Sequence, residues 1–234
     1  EVELMQRAAD ISVAAHERAI KAAKPGVWEY QVEAEMLHEF AMSGARFPAY
    51  NAIVGGGDNA CILHYTDNQS QLSDGEMLLI DAGCEYQGYA ADITRTFPVS
   101  GTFSTEQKQL YQLVLDAQTA AIEHIKPGNT LKDATDIASR VITQGLIDFG
   151  ILSGNVEDNI EKGHHKKFFM HGLGHWLGLD VHDVGNYKVD EKERPFEPGM
   201  VLTVEPGIYI DEDAEVADKW KGLGIRIEDN ILVT

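Results

Sequence analysis

Four carboxylates occupy matching places in two stretches of this chain. Asp81-Ala82-Gly83 closes the apolar run Met77-Leu78-Leu79-Ile80, which Gly75 opens, and Glu205-Pro206-Gly207 closes Val201-Leu202-Thr203-Val204, which Gly199 opens. Gly88 stands four residues before Asp92, and Gly224 four before Glu228. Acids set into strand-like runs are seldom left unpaired, because desolvating an isolated carboxylate is costly. If the first stretch folds back midway between Asp81 and Asp92, at Tyr86 and Gln87, the two acids fall directly opposite one another. Glu205 and Glu228 pair likewise around a longer loop centred near Val216. Like charges so placed repel, unless one is protonated or a divalent cation sits between them. Either pair alone reads as two ordinary acids near a turn. Their recurrence points to a shared cation, and two pairs point to two ions.

Histidines support that reading. His171, His175 and His182 fall within twelve residues, in FFMHGLGHWLGLDVHD, and His64 lies in ILHYT. A lone histidine in an apolar run is usually a satisfied core residue, but three together beside such acids are poorly explained that way. The His-x3-His spacing is weak by itself, and Gly-Leu-Gly between His171 and His175 predicts an extended or turning segment rather than a helix. Salt-bridging the acids is the bland alternative. It lacks partners, since the chain has 19 basic residues against 38 acidic ones and few of them lie near these motifs.

Apolar periodicity predicts the elements that position these groups: helices over 3–23, 28–43, 104–125 and 130–149. Lys24-Pro25-Gly26 and Lys126-Pro127-Gly128 stop the first of each pair. Ser104 with Gln107 reads as a capping box, with Leu110, Leu113, Val114, Ala117 and Ala121 on the buried face, and Thr130 as an N-cap. Helix, helix and strands thus recur twice, in halves of about 1–100 and 101–234, with a ligand cleft expected where the halves meet. Segments 185–198 and 211–219 read as solvated loops.

Composition sets outer bounds. At 234 residues and 44% hydrophobic, the chain can build one large domain or two small ones. A net charge of −19 argues against nucleic-acid binding. No apolar run approaches the ~20 residues a membrane span needs, and no basic-then-apolar leader is visible. The chain opens at Glu1 inside a helix, as expected of a fragment or processed form. Cys61 and Cys84 are not spaced as a zinc or redox pair and read as buried apolar residues in a reducing, cytoplasmic compartment.

The runs HGLGHWLGLDVHDVG (171–185), VLTVEPGIYI (201–210), LIDAGCEYQGYAADITRTFPV (79–99) and GIRIED (224–229) closely resemble aminopeptidase P, the Xaa-Pro aminopeptidase branch of the pita-bread metallopeptidases. Methionine aminopeptidase, prolidase and creatinase share that fold. The resemblance extends from the first helix to the last strand. It implies an α+β fold with two pseudo-symmetric helix-helix-strand halves around a curved, mainly antiparallel sheet, forming one catalytic domain over 1–234. It implies five metal ligands, Asp81, Asp92, His175, Glu205 and Glu228, with Asp92 and Glu228 bridging. His64, His171 and His182 match active-site histidines that are not ligands. Tyr209 and Arg226 match a pair behind the ligands, with Arg226 orienting Asp81. The N-terminal domain usual in the family is expected to be absent, and the chain stops six residues after Glu228, where members usually continue. Peptide length preference is therefore left open, with oligomers possible in a full-length protein.

The chemistry that follows from the resemblance is hydrolysis of the bond before proline in peptides with an Xaa-Pro N-terminus. Four carboxylates and one imidazole suit manganese better than a structural zinc, with cobalt or zinc able to substitute. Two ions ~3.5–4 Å apart would activate a shared water, Glu205 would shuttle the proton, and His64 and His182 would hydrogen-bond the substrate and accept its proline ring. An Xaa-Pro dipeptidase and a methionine aminopeptidase are the alternatives on the same fold. A non-catalytic peptide-binding module is a remoter one, against which the complete ligand set counts.

Overall fold

The computed structural model describes residues 1–234. The predicted helices are present: α1 (Val2–Ala22), α2 (Glu29–Met42), and, after a run of strands, α3 (Thr105–His124) and α4 (Leu131–Asp148). Local chemistry sets their ends. Ser104 Oγ accepts the Gln107 N–H at 3.2 Å while Gln107 Oε1 accepts the Ser104 N–H at 2.8 Å, and Thr130 and Asp133 exchange the same two bonds at 3.2 and 3.3 Å. Each reciprocal pair satisfies two N–H groups that a helix start would leave bare. A short helix, α5 (Val156–Glu161), follows α4.

The strands of the first half are β1 (Phe47–Pro48), β2 (Ile53–Gly56), β3 (Met77–Asp81), β4 (Cys84–Tyr86), β5 (Tyr89–Ala90) and β6 (Thr94–Pro98). They form two antiparallel sheets, β1-β4-β5 and β2-β3-β6. The second half holds β7 (Lys188–Val189), β8 (Lys192–Glu193), β9 (Val201–Val204), β10 (Gly207–Ile210), β11 (Leu223–Arg226) and β12 (Asp229–Leu232), paired antiparallel as β7-β8, β9-β12 and β10-β11. The β7-β8 hairpin corrects the expectation of a plain loop over 185–198. Asp190 and Glu191, at φ 50° and 61°, form its turn. Two consecutive positive φ values match the strand twist of a tight hairpin, which the polar composition of the segment hides.

Register differs from expectation in the first half. Tyr86 pairs with Tyr89 across a two-residue turn, Gln87-Gly88, at φ 51° and 91°. That turn moves the centre by one residue, so Asp81 pairs with Thr94 instead of Asp92. A two-residue change of partner keeps side-chain parity, and Asp92 remains on the same face as a diagonal neighbour. Gly83 permits the tight passage opposite it, since a Cβ there would come within 1.7 Å of the Ala91 carbonyl oxygen. In the second half the pairs Val204–Asp229 and Gly207–Arg226 flank an interruption where Glu205 and Glu228 face each other, as the loop centre near Val216 predicts.

Each helix pair backs its own strands. Ile11, Ala15, Val32, Met36 and Phe40 of α1 and α2 pack with Val54, Leu78 and Ile80, while Leu110, Val114, Ala117, Ala138 and Ile142 of α3 and α4 pack with Leu202, Val204, Ile208 and Ile225. The sheet faces left free of helices carry the acids. The halves are joined by a bridge between Thr94 and Glu228, and by Arg95, which donates to the Glu228 carbonyl at 2.7 Å and to Asp229 Oδ1 at 2.6 Å. Cys84 is buried and Cys61 partly exposed, and both thiols are free. No helix is long and apolar enough to cross a membrane.

Candidate metal centre

Five elements deliver the polar groups to one cavity. Asp81 ends β3, and Asp92 sits in the break between β5 and β6. Glu205 follows β9, and Glu228 lies between β11 and β12. His175 belongs to an extended, irregular segment laid along β9. Its carbonyl accepts the Thr203 N–H at 2.9 Å, its own N–H donates to Thr203 Oγ1 at 3.1 Å, and Leu173 accepts the Glu205 N–H at 2.7 Å. Gly174 allows that contact, because a Cβ there would reach within 1.9 Å of the Thr203 carbonyl oxygen.

Asp92, His175 and Glu228 each offer one ligand atom, all within 4.8 Å of one another. His175 Nε2 lies 3.3 Å from Asp92 Oδ2 and 3.6 Å from Glu205 Oε1. Its Nδ1 is 3.0 Å from the Trp176 carbonyl, which can only accept, so Nδ1 carries the proton and Nε2 is turned to the acids. Asp81 joins this group from the side: Tyr50 donates within reach of Asp81 Oδ1 at 2.6 Å and Asp92 Oδ1 at 2.5 Å. One phenol proton cannot serve two ionised carboxylates, so this arrangement also calls for an added proton or cation.

The electrostatics are unequal. Burial pushes the Asp81 carboxyl up, but the Arg226 guanidinium, 2.7 Å away, and the Tyr50 hydroxyl outweigh it and hold Asp81 below its ordinary value. None of the other three acids forms an ion pair with a guanidinium. Burial and then the charge of Asp81 raise Asp92. Burial, with Asp92 and Glu205 adding to it, lifts Glu228 well above the carboxylate range. Burial lifts Glu205 to about 8 despite Arg226. Glu228 Oε2 accepts from Thr94 Oγ1 at 2.7 Å, while its Oε1 is buried with no hydrogen-bond partner. One guanidinium among four buried acids leaves charge uncompensated. The remaining donors, carboxylate oxygens and an imidazole, are those of a hard divalent cation. The residues therefore fit the expected metal.

Behind the acids, Arg226 (3% exposed) donates to Tyr209 Oη at 2.9 Å, and Tyr209 Oη lies 2.7 Å from His171 Nε2. His171 Nδ1 donates to the Gly172 carbonyl at 2.8 Å, which leaves Nε2 to accept from Tyr209. Burial, helped by Arg226, lowers His171 to about 4, so its ring is neutral at pH 7. The His182 ring lies 4.2 Å from the His175 ring. His64, His171, His175, His182, Arg226 and the four acids all line one cavity of about 380 Å³, with Ile53, Leu63 and Val181 as its apolar part. Tyr209 does not line it and acts through His171 and Arg226. Sequence reasoning missed Tyr50 and Thr94. Thr94 falls inside a run already singled out, where its register opposite Asp81 was the available signal. Tyr50 belongs to no acid motif, and only the folded contact reveals it.

The Xaa-Pro aminopeptidase of Haemophilus influenzae is 57% identical over the whole chain, which covers 54% of that protein. Proline aminopeptidase P II from Yersinia pestis aligns over 100% of the chain and 54% of its own, at TM-score 0.98 and 53% identity. A zinc-substituted Escherichia coli aminopeptidase P in complex with product aligns over 100% of the chain and 53% of its own, at TM-score 0.97 and 52% identity. The chain spans about half the length of these relatives. Residues 3–234 match the sequence profile of metallopeptidase family M24. A cation-seeking cluster at the junction of two like halves, on a backbone that follows aminopeptidase P throughout, leads to one conclusion: this chain belongs to metallopeptidase family M24 and has its pita-bread fold.

Proposed function

We propose that this chain is the catalytic part of a metal-dependent aminopeptidase that releases the first residue from peptides with proline in second position. The observation that carries the reading is the buried, unpartnered Glu228 Oε1 beside Asp92 and His175, at a cavity that also gathers His64, His171 and His182. The names of the relatives, Xaa-Pro aminopeptidase and aminopeptidase P, support the substrate class.

In this reading Asp81, Asp92, His175, Glu205 and Glu228 hold two divalent cations, manganese by preference, with cobalt or zinc able to replace it. Bound there, the cations supply Lewis acidity and a water acidic enough to ionise near neutral pH. Glu205 takes up and returns a proton at its carboxylate. His182 and His64 donate to the substrate carbonyl, and His171 orients the peptide with its ring fixed by Tyr209. Arg226 keeps Asp81 ionised and in place. An Xaa-Pro bond has no N–H to recognise, so selection falls to a surface that accepts the flat ring, made by His64, His182 and the apolar Ile53, Leu63 and Val181. The chain acts as one domain of two halves, about 1–100 and 101–234, in the cytoplasm, on peptides rather than nucleic acid or membrane.

An assay of arginine release from Arg-Pro-Pro, with and without manganese, tests the reading. Metal-dependent release supports it. Turnover of Gly-Pro alone assigns a dipeptidase, turnover of Met-Ala-Ser a methionine aminopeptidase, and binding without turnover a peptide-holding module.

A further inference from the structure

The wall of the cavity that carries His64 has little backbone structure of its own. It follows a short 3-10 turn, Gly57–Cys61, and runs irregularly from 62 to 70, placing Leu63, His64 and Thr66 on the cavity. Its backbone is tied by single turns, Ile62 N–H to the Asn59 carbonyl and Tyr65 N–H to the Ile62 carbonyl, each at 3.2 Å. A side chain on such a segment keeps its place only if other side chains anchor the segment.

Asn68, 2% exposed, ties part of the segment to Ala52 and Val54, and Glu29 supplies the anchor that reaches the neighbour of His64. Glu29 is the first residue of α2 and is 0% exposed. Its Oε1 accepts from the Gly56 N–H at 2.8 Å and from Asn59 Nδ2 at 3.0 Å, and its Oε2 accepts from Tyr65 Oη and the Ser70 N–H, both at 2.8 Å. Those four donors come from the start and middle of the turn, from the neighbour of His64, and from the end of the loop. Two donors per oxygen saturate the carboxylate. Tyr65 transmits the constraint: it is 9% exposed and packs with Ile53, Leu79 and Tyr209, the last being the residue bonded to His171 and Arg226. None of these groups belongs to the acid cluster.

We infer that Glu29 is a positioning residue: through Tyr65 its carboxylate fixes the 62–70 loop and so sets the place of His64 on the cavity wall. The value of that placement rests on the role given to His64 in the proposed function.

Two substitutions test it. Glu29→Gln keeps shape but turns an N–H₂ toward N–H and O–H donors, and Tyr65→Phe removes one of the four bonds while keeping the ring. In the zinc-loaded chain, which is diamagnetic, the ¹H–¹³C resonances of the His64 ring, identified by their loss in His64→Ala, shift or broaden in both variants. In the manganese-loaded chain, kcat/KM on Arg-Pro-Pro falls by about 10- to 100-fold in Glu29→Gln, as expected of a displaced group, and by less in Tyr65→Phe, with manganese content unchanged. In a His64→Ala background the same substitutions cost no more than about twofold further, the non-additivity of residues acting as one unit. Unchanged His64 resonances in both variants, or an equal loss of activity in both backgrounds, overturns the inference. If Glu29→Gln fails to fold, Tyr65→Phe decides. If His64→Ala is fully active while Tyr65→Phe still moves the His64 signals, the anchoring stands and the role of His64 in the proposed function falls.

Discussion

The two acid pairs come from similar sequence and end in different surroundings. In the first half Asp81 and Asp92 sit close behind a tight turn and share the Tyr50 hydroxyl, and Asp81 is neutralised by Arg226, a residue of the second half. In the second half Glu205 and Glu228 meet across a long loop; Arg226 and His175 offset Glu205 in part, and no basic side chain pairs with the Glu228 carboxylate. Asp81 is satisfied by protein, whereas its partner Asp92 and the second pair are left short of positive charge. The two halves carry two carboxylate pairs, but one arginine pairs with a single acid, and that asymmetry leaves Asp92, Glu205 and Glu228 as the groups a cation would serve.

Substitutions can break this comparison. The largest effect is expected for Asp92→Asn, which removes a charge from the His175 side of the cluster: the chain should lose bound metal and turnover while its fold persists. Elemental analysis with circular dichroism checks this, and full retention of both ions would count against the site. His182→Ala should leave metal in place and lower kcat by roughly 10²–10⁴, as positioned proton donors do, in steady-state assays on Arg-Pro-Pro.

Acid titration sharpens the contrast. Burial holds Glu205 at about 8 against an unfolded value of 4.5, so between those pH values the folded, metal-free chain binds more protons than the unfolded one. The contribution of Glu205 to stability must then fall as pH rises from about 4.5 to 8 and level off above it, while His16 and His171, both lowered from 6.5 to about 4, contribute in the opposite direction between those two values. Asp92 and Glu228 act in the same direction, and Asp81, whose value is lowered, acts oppositely at more acid pH. Melting temperatures of the metal-free chain should drop between pH 6.5 and 8, above the range in which His16 and His171 oppose the fall. Manganese should raise them more at pH 8 than at pH 5, because it competes with those protons. The smallest effect is expected where the protein itself serves the acids: Tyr50→Phe should weaken manganese binding by roughly 10-fold, within the range for groups that orient ligands, as calorimetry would read.

Much of the architecture is legible in the chain because it is encoded locally. Helical periodicity and the Ser104–Gln107 and Thr130–Asp133 caps depend on neighbours three or four residues away, and the four helices lie within a residue of where those signals put them. The turn at Gln87-Gly88 shows the limit. Its two positive φ values displaced the pairing of Asp81 by two residues, yet strand parity kept Asp92 on the same face, so the error in register did not scatter the cluster. The long loop between β10 and β11 kept the expected register, which leaves Glu205 and Glu228 facing each other.

The chain by itself determined which acids and histidines recur, the helices that back each half, and the faces on which the acids lie, because these follow from composition and from periods of two and 3.6 residues. Only the tertiary structure decided that Tyr50 sits between two carboxylates and that Glu29 anchors the loop of His64, and it set Arg226 on Asp81 from across the molecule, as the family resemblance implies. Those contacts join residues 27 to 145 positions apart. No local pattern records them, since each depends on which surfaces two packed halves bring together and leave out of water.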